Sequence, residues 1–500
     1  MNVKKFIRMT LAGFLGLSLA WAWPGVAISA TLRVPTQYST IQSALSGAES
    51  GDTIQVGSGT YREKLYIIDR RNVTISGAGR NQTIIRNRYK PSNDVPAVFV
   101  ERSTEISISG IGFEGGHTGI VVTKNSDVRV DSSFIREFHN VGIFVGAIPC
   151  SPLPPGSLKV PKCYKNNRQK YVDYSRLEVY NSTIEANGVK AKTGTGLVFF
   201  PGTSGEVRGS NIISNKLTGI FVWGAQVDIE QSVFKRNIEH ALEYRKYPSP
   251  RTNSGFTLRA GGVLIGNEIK TSKPLWGSYL GGGLVTQAAD MELYGNLIED
   301  NAAWGISACK KSNLTLGGNT IINNGRAGVI IQKKTQANFE DGNTISGNRY
   351  EGLVAQGNTY ITMHSSIIQN NGRCGALLQK KSEVHLDDVL VRGNGTQAGY
   401  YSGLVFTRRA WGSVTDSDIR NHQNGAGIHY YGGPYELSVE YSEISGNKHS
   451  GVVFDGTNAR GDVYDNEFSG GNSPYDVTCP DGGRPDLGGQ QGAKVNKNCR

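Results

Sequence analysis

The chain has 500 residues, a formal net charge of +11 and 38% hydrophobic residues. Its 65 glycines and four methionines, with leucine scarce, argue against a helical protein. A basic protein of this kind points to an acidic polysaccharide or an anionic cell-surface glycan as partner, in preference to nucleic acid.

Residues 1–30 have the layout of a secretory signal. Lys4, Lys5 and Arg8 precede an apolar run, "LAGFLGLSLAWAW", and "PGVAISA" offers small residues for cleavage. Its removal leaves a net charge of +8, and no later stretch is apolar enough to cross a bilayer. An exported protein with no stable membrane span is expected, and a monomer. Cysteine usage agrees: Cys150 and Cys163 bracket a Pro-rich insert, and Cys479 and Cys499 bracket the C-terminal tail, so each pair is expected to close a local disulfide. Cys309 and Cys374 fall at different repeat positions and are expected to be buried free thiols.

Residues 31–96 are expected to form an N-terminal cap and the first rungs. "TIQSALSGA" reads as a short amphipathic helix, suited to covering the exposed end of a sheet structure. From 97 to 470 one pattern repeats. A glycine followed by apolar residues recurs at Gly119, Gly142, Gly196, Gly219, Gly255, Gly283, Gly305, Gly328, Gly352, Gly375, Gly403, Gly427 and Gly451, with a common period of about 23 residues. Each period holds three short β-like runs separated by turn residues, as in "GVIIQKKTQANFEDGNTISGN". Three strands and three turns with no helix between them describe one rung of a parallel β-helix. The fold class is therefore all-β, a right-handed solenoid of about 13–15 rungs, closed by a disulfide-tied tail over 471–500.

The repeat gives many polar residues a structural role. Asn215, Asn301, Asn324, Asn348, Asn371 and Asn447 lie four residues before the next anchor glycine, where stacked amides can bond and a left-handed turn is tolerated. Asp341, Asp388 and Asp416 occupy the second turn of their rungs and read as turn residues. "STIQSAL" with "GDTIQVGSGTYREKL" resembles the opening of pectin-lyase-like right-handed β-helix proteins, and the "GN-x-I" repeats resemble those of carbohydrate-binding and sugar-hydrolase β-helices. The resemblance covers most of residues 35–470 and implies a polysaccharide-directed fold. The activity motifs of pectinesterases, polygalacturonases and alginate epimerases are absent.

Counting from each anchor, positions +1 and +3 face the core and +2 and +4 face outward. Positions +5 and +6 carry Lys310-Lys311, Lys333-Lys334, Lys380-Lys381 and Arg408-Arg409, interrupted once by Gly357-Asn358. Stacking turns these pairs into a basic column along one edge. Like charges roughly 5 Å apart repel by about 0.8 kcal/mol even in water, so the column is either a solvated edge that blocks aggregation or a site for a polyanion. Outward amides (Gln287, Gln332, Gln356, Gln379) and an apolar strip (Ile330, Val354, Leu377, Val405) lie beside it. Insertions before the anchors, at 243–254, 270–282 and 396–402, add Tyr, Trp, Lys and Arg, including Tyr400 and Tyr401. The insert between Cys150 and Cys163 adds a further basic wall.

A groove for an acidic glycan follows, with Lys310, Lys311, Lys334, Lys381, Arg409, Gln332, Gln356, Gln379, Tyr400, Tyr401, Tyr430 and Tyr431 as candidate contacts. For β-elimination or C5-epimerisation a cation must neutralise the uronate and a base must take the adjacent proton. Lys333, Lys380 and Arg408 are candidates for the first role and His429 for the second. A non-catalytic glycan-binding protein is the competing reading. A hydrolase or esterase ranks third, because hydrolysis wants two carboxylates at a set separation and Asp455 stands alone. No metal-ligand spacing occurs and no cofactor is indicated.

Overall fold

The computed structural model describes residues 29–88, 95–147, 172–188, 194–246, 259–271, 281–407, 409–490 and 493–499. Cys150, Cys163, Arg408, most of the insertions at 243–254 and 270–282, and residues 1–28 lie outside the described residues.

One rung shows how sequence becomes structure. Val329–Gln332, Gln336–Phe339 and Thr344–Ser346 are strands. The residues Val329, Ile331, Ala337, Phe339 and Ile345 that alternate inward along them are at most 2% exposed. The next rung stacks in phase, pairing Val329 with Leu353 and Leu353 with Ala376 in parallel register. Repetition builds three parallel sheets, which among the described residues hold 16, 18 and 15 strands. The front sheet runs from Leu65–Ile68 to Val477–Thr478, and the turn leaving it carries the lysine pairs. The solenoid is longer than the expected 13–15 rungs because the repeat extends into both ends. Strands from Thr53–Val56 onward already stack as rungs, and Arg484–Gly488 adds a strand beyond residue 470.

The helix Ile41–Gly47 caps the first rung and buries Ile41, Ala44 and Leu45. Thr40 caps it through a reciprocal bond with Ser43, and the Glu63 carboxylate accepts from the Ile41 and Gln42 N–H groups at 3.0 and 2.9 Å. An acceptor there satisfies donors that a helix start leaves free. At the other end Cys479 and Cys499 are joined across 20 residues. Cys309 and Cys374 are free thiols, as expected, with Cys309 only half-buried.

The asparagine positions form a buried amide ladder. Asn301, Asn324, Asn348 and Asn371 each donate Nδ2–H to the Oδ1 of the next at 2.9–3.0 Å, ending on Asn394. The left-handed backbone falls one residue earlier, at Asp300, Asn323 and Asn370. These asparagines are therefore held by their amides and not by turn conformation, which corrects half of the sequence-based reason. The anchor glycines serve the same ladder: a Cβ on Gly352 would meet Asn371 Nδ2 and the Gly375 oxygen at 2.7 Å. The turn roles of Asp388 and Asp416 hold, with φ of 53° and 48°, while Asp341 precedes a left-handed Gly342.

Candidate functional site: an open groove between two columns

The outward face of the front sheet changes character along its length. On the rungs from Thr118 to Arg245 it is closed: Val121, Phe144, Val198, Phe200, Phe221 and Trp223 form a second buried cluster outside the solenoid core. Glu243, at an outward position on this stretch, is 1% exposed and ion-paired with Arg245; burial pushes its carboxyl up to about 7. From the Ile306–Cys309 rung to the Ala376–Gln379 rung most outward residues reach solvent, though Val354 there and Val405 on the next rung, both expected in the exposed apolar strip, are buried at 9%. Ile330, Gln332, Gln356, Leu377 and Gln379 are all partly exposed. We take this open strip, about 13 Å wide at four residues of about 3.3 Å each, as the floor of the candidate groove.

One bank is the lysine column. Lys310 and Lys311, Lys333 and Lys334, and Lys380 and Lys381 each occupy two successive left-handed positions, with φ between 54° and 69°. Backbone bonds stack these turns: Lys311 donates to Lys333 O, Lys334 to Gly357 O, and Gly357 to Lys380 O. The neutral rung has Gly357 (φ 85°) and Asn358 (φ 56°) in the same two places. Glycine and asparagine are the residues that such backbone favours, whereas other side chains pay roughly 1 kcal/mol or more. Lysine is thus the unfavoured choice at six positions. Lys124, in the equivalent turn of an earlier rung, is neutralised by Glu101 at 2.8 Å. Among the described residues no carboxylate pairs with Lys311, Lys333, Lys334, Lys380 or Lys381, and Lys310 Nζ donates to Gln287 at 2.8 Å. All six lysines and Arg409 are exposed.

On the opposite side a wall was expected from the insertions before the anchors, but of the residues found there only Tyr401 was foreseen. In the turn entering each front strand stand Trp304, Arg326, Tyr350, Arg373 and Tyr401 on five successive rungs. Arg326 lies over the Trp304 ring at 5.5 Å, and Arg373 over Tyr350 at 4.1 Å and Tyr401 at 5.8 Å. Arg326 donates its N–H to Ala303 O, Tyr350 to Arg326 O, and Arg373 to Tyr350 O, so these residues stack directly. The signal was present as a bulky residue one or two places before each anchor, in "WG", "RAG", "YEG" and "RCG".

The groove ends at an aromatic and histidine cluster. His429 Nε2 lies 3.2 Å from Asp455 Oδ2, its ring stacks on Tyr431 at 4.1 Å, and Tyr400 meets it edge-on at 5.8 Å. Tyr400 also contacts His449 at 4.8 Å. His429 is 6% exposed, more enclosed than a surface histidine, and that burial lowers its pKa against the opposing pull of Asp455. Tyr400 and Tyr431 are 48% and 38% exposed, with pKa raised chiefly by desolvation. Arg409 and Tyr431 line one cavity of about 310 Å³ with Gly432, Gly433 and Asn458. Tyr401 belongs to the far bank, where it meets Arg373 and bridges to Asn424. Tyr430 is a correction: at position +3 it is fully buried, and its hydroxyl donates to Tyr435 O inside the wall, so it offers nothing to a ligand. Asp455, Tyr400 and His449 join His429 through space in a way that spacing along the chain does not show.

Two family models match the chain. Residues 57–234 match a right handed beta helix region, and residues 264–386 match the periplasmic copper-binding protein family NosD. The chain is a right-handed parallel β-helix protein. Among solved structures similar to this β-helix, the periplasmic alginate epimerase AlgG is 12% identical with a TM-score of 0.42, over 67% of this chain and 76% of that one. An alginate lyase from Paenibacillus sp. str. FPU-7 is 14% identical with a TM-score of 0.36, over 71% and 99%. Pectate lyase Pel9A is 13% identical with a TM-score of 0.37, over 75% and 82%. No curated protein sequence matches.

Proposed function

We propose that this β-helix is an exported protein that binds an acidic, uronate-type polysaccharide along the open groove and acts on it by β-elimination or C5-epimerisation. The observation that carries the reading is the His429–Asp455 pair, stacked on Tyr431 and met edge-on by Tyr400, at the end of a strip flanked by exposed cations. The disulfide supports export. Relatives in fold named as alginate epimerase, alginate lyase and pectate lyase share the substrate class proposed here.

The chemistry follows from the residues. Arg409, with Lys380 one rung before it, neutralises the uronate carboxylate and so acidifies the adjacent C5–H. The neutral His429 ring donates Nε2–H to Asp455, which leaves Nδ1 as the acceptor for that proton. In elimination the C5–H pair forms the C4=C5 double bond, the C4–O4 bond breaks, and the departing oxygen takes a proton from Tyr431 or Tyr400. In epimerisation no bond to oxygen breaks, and a tyrosine returns a proton to the opposite face of C5. Raised tyrosine pKa values keep both phenols protonated for that role.

Copper, named for the second family model, does not fit these residues. Met291 and Met363 lie in the core at 2% and 1% exposure, Cys309 and Cys374 are three rungs apart, and His364 and His385 stand on another sheet. Among the described residues no group of three or more His, Cys, Asp or Glu side chains is placed to hold a metal ion.

The test is incubation of the purified protein with a panel of uronans, following absorbance of the unsaturated product and analysing recovered sugar for inversion at C5. Either signal, lost in His429→Ala, establishes the activity. Binding with neither signal leaves the non-catalytic glycan-binding reading, which the unpaired lysines support by themselves. No binding at all removes both.

A further inference from the structure

One turn of this fold already holds a carboxylate. In the turn leaving the front strand Thr118–Thr123, Lys124 and Asn125 take two successive left-handed positions, with φ of 53° and 61°. Their N–H groups donate to the two oxygens of Asp173 at 2.7 and 3.0 Å, and the Thr123 hydroxyl adds a third bond at 3.1 Å. Successive N–H groups in such backbone form a concave nest for an anion. Asp173 fills this one and is 4% exposed.

The Lys380-Lys381 turn repeats that nest without its occupant. Both pairs lie at positions +5 and +6 after their anchor glycines, and Lys380 and Lys381 have φ of 54° and 66°. The serine that follows ties each turn in the same way: Ser126 Oγ donates to Thr123 O at 2.6 Å, and Ser382 Oγ to Gln379 O at 2.5 Å. On the two preceding rungs the neighbour supplies acceptors. Lys333 N–H donates to Gln356 O, Lys334 to Gly357 O, and Gly357 and Asn358 both to Lys380 O. After Lys381 that supply stops. Thr407 turns back, its N–H and hydroxyl both donating to Leu378 O at 2.9 and 3.1 Å. Among the described residues no acceptor meets the N–H of Lys380 or Lys381. Register sets Glu383 beside Trp411 as it sets Asp127 beside Arg176, so in sequence the place of Asp173 falls to Arg408. The carboxylate of one turn is exchanged for an arginine in the other.

We propose that the Lys380-Lys381 turn is a carboxylate-binding subsite, in which the two backbone N–H groups each take one oxygen and the lysine ammonium groups surround the charge. The ligand is a uronate carboxylate of the bound glycan, so this rests on the acidic-glycan reading and deepens it. Hydrogen bonds to an ionised oxygen are the stronger, charge-assisted kind, and a backbone donor already fixed by the turn loses little freedom on binding. The nest stands two rungs, roughly 10 Å, before His429. The sugar it holds is therefore a unit farther along the chain than the reacting one, and holding it sets the register of the glycan at His429.

The experiment reads backbone amide resonances of protein labelled with heavy nitrogen at lysine, titrated with tetragalacturonate and, separately, with acetate. Lys380→Arg and Lys381→Arg assign the two signals, and Lys124, already bonded to Asp173, is the internal reference. The Lys380 and Lys381 amide protons should move downfield as tetragalacturonate binds. Arg408→Asp supplies an internal carboxylate, so both amides should be shifted before ligand is added and should no longer respond. Tetragalacturonate should bind that variant at least about tenfold more weakly than Arg408→Ala. If tetragalacturonate binds while the two amides stay fixed, or binds Arg408→Asp as well as Arg408→Ala, the nest is overturned and the acidic-glycan reading stands. If tetragalacturonate does not bind, that reading fails. Amides shifted by acetate would then still establish the nest as a carboxylate site, and amides unmoved by acetate would overturn it as well.

Discussion

Six lysines in left-handed backbone set stability against binding at single residues. Lys380 has φ 54° at the place where the neutral rung has Gly357. Replacing it with glycine removes the Cβ conflict of that conformation and one like-charge neighbour, at the cost of a floppier unfolded chain. Lys380→Gly should therefore raise stability by about 0.5–1 kcal/mol in urea denaturation, while weakening uronan binding. A loss of stability would show that lysine contributes to the fold and would remove the argument that it is kept for a ligand.

A second residue-scale case is His422. It takes the place of an asparagine in the amide ladder: Nδ1 accepts from the Asn394 N–H and its own N–H donates to Asn447. Its Nε2 is buried without a partner, and desolvation drives the pKa down to about 3. The unfolded chain protonates such a ring near 6.5, so its contribution is intact above that pH and is lost as pH falls toward 3. The slope is about 1.4 kcal/mol per pH unit. His240, lowered to about 4 by burial, adds a second slope over 6.5 to 4. His422→Asn restores the ladder and should remove close to half of the acid destabilisation between pH 6.5 and 5, where few carboxylates titrate. An unchanged pH dependence would place the histidine's protonation elsewhere.

At the scale of the rung, the amide ladder ties each rung to its neighbours through buried side chains. Asn348 accepts from both the N–H and the Nδ2–H of Asn324 and donates to Asn371 and to Ile321 O, all buried. Asn348→Ala would leave those groups unsatisfied and should cost about 2–4 kcal/mol, read as a lower denaturation midpoint. A cost below about 1 kcal/mol would mean that water fills the site. The rung itself was legible because its period, its glycine and its inward alternation are all local. Val329 and Ile331 face inward and Gln332 outward by counting alone. What was missed lies between rungs or at chain ends: the pairing of Arg373 with Tyr350, of Tyr400 with His449, and the burial of Tyr430 all depend on residues 23 or more apart in sequence or on a wall that periodicity does not describe. The rung count fell short for the same reason, since the first and last rungs depart from the repeat that defined the others.

At the scale of the whole molecule, the proposed function divides binding from chemistry along the axis of the solenoid. The lysine turns span the rungs from 306 to 381, and the histidine cluster follows on the rungs from 403 to 455. Charges on long exposed side chains act through solvent and are screened within about 8–10 Å at moderate salt, so the lysine stretch should govern affinity and its salt dependence. His429, enclosed and neutral, adds nothing to that field. Lys311→Ala with Lys334→Ala should weaken uronan binding about tenfold at low salt, converging on the parent protein at high salt, while turnover of saturating substrate changes little. His429→Ala should leave affinity and its salt slope intact and abolish turnover, and Asp455→Asn should lower turnover and shift its pH profile by removing the acceptor that fixes the ring. Titration in two salt concentrations and rates at saturating glycan separate the two effects. A His429→Ala protein that loses affinity in step with turnover would place the ring in glycan binding, and the groove would then be a receptor along its full length.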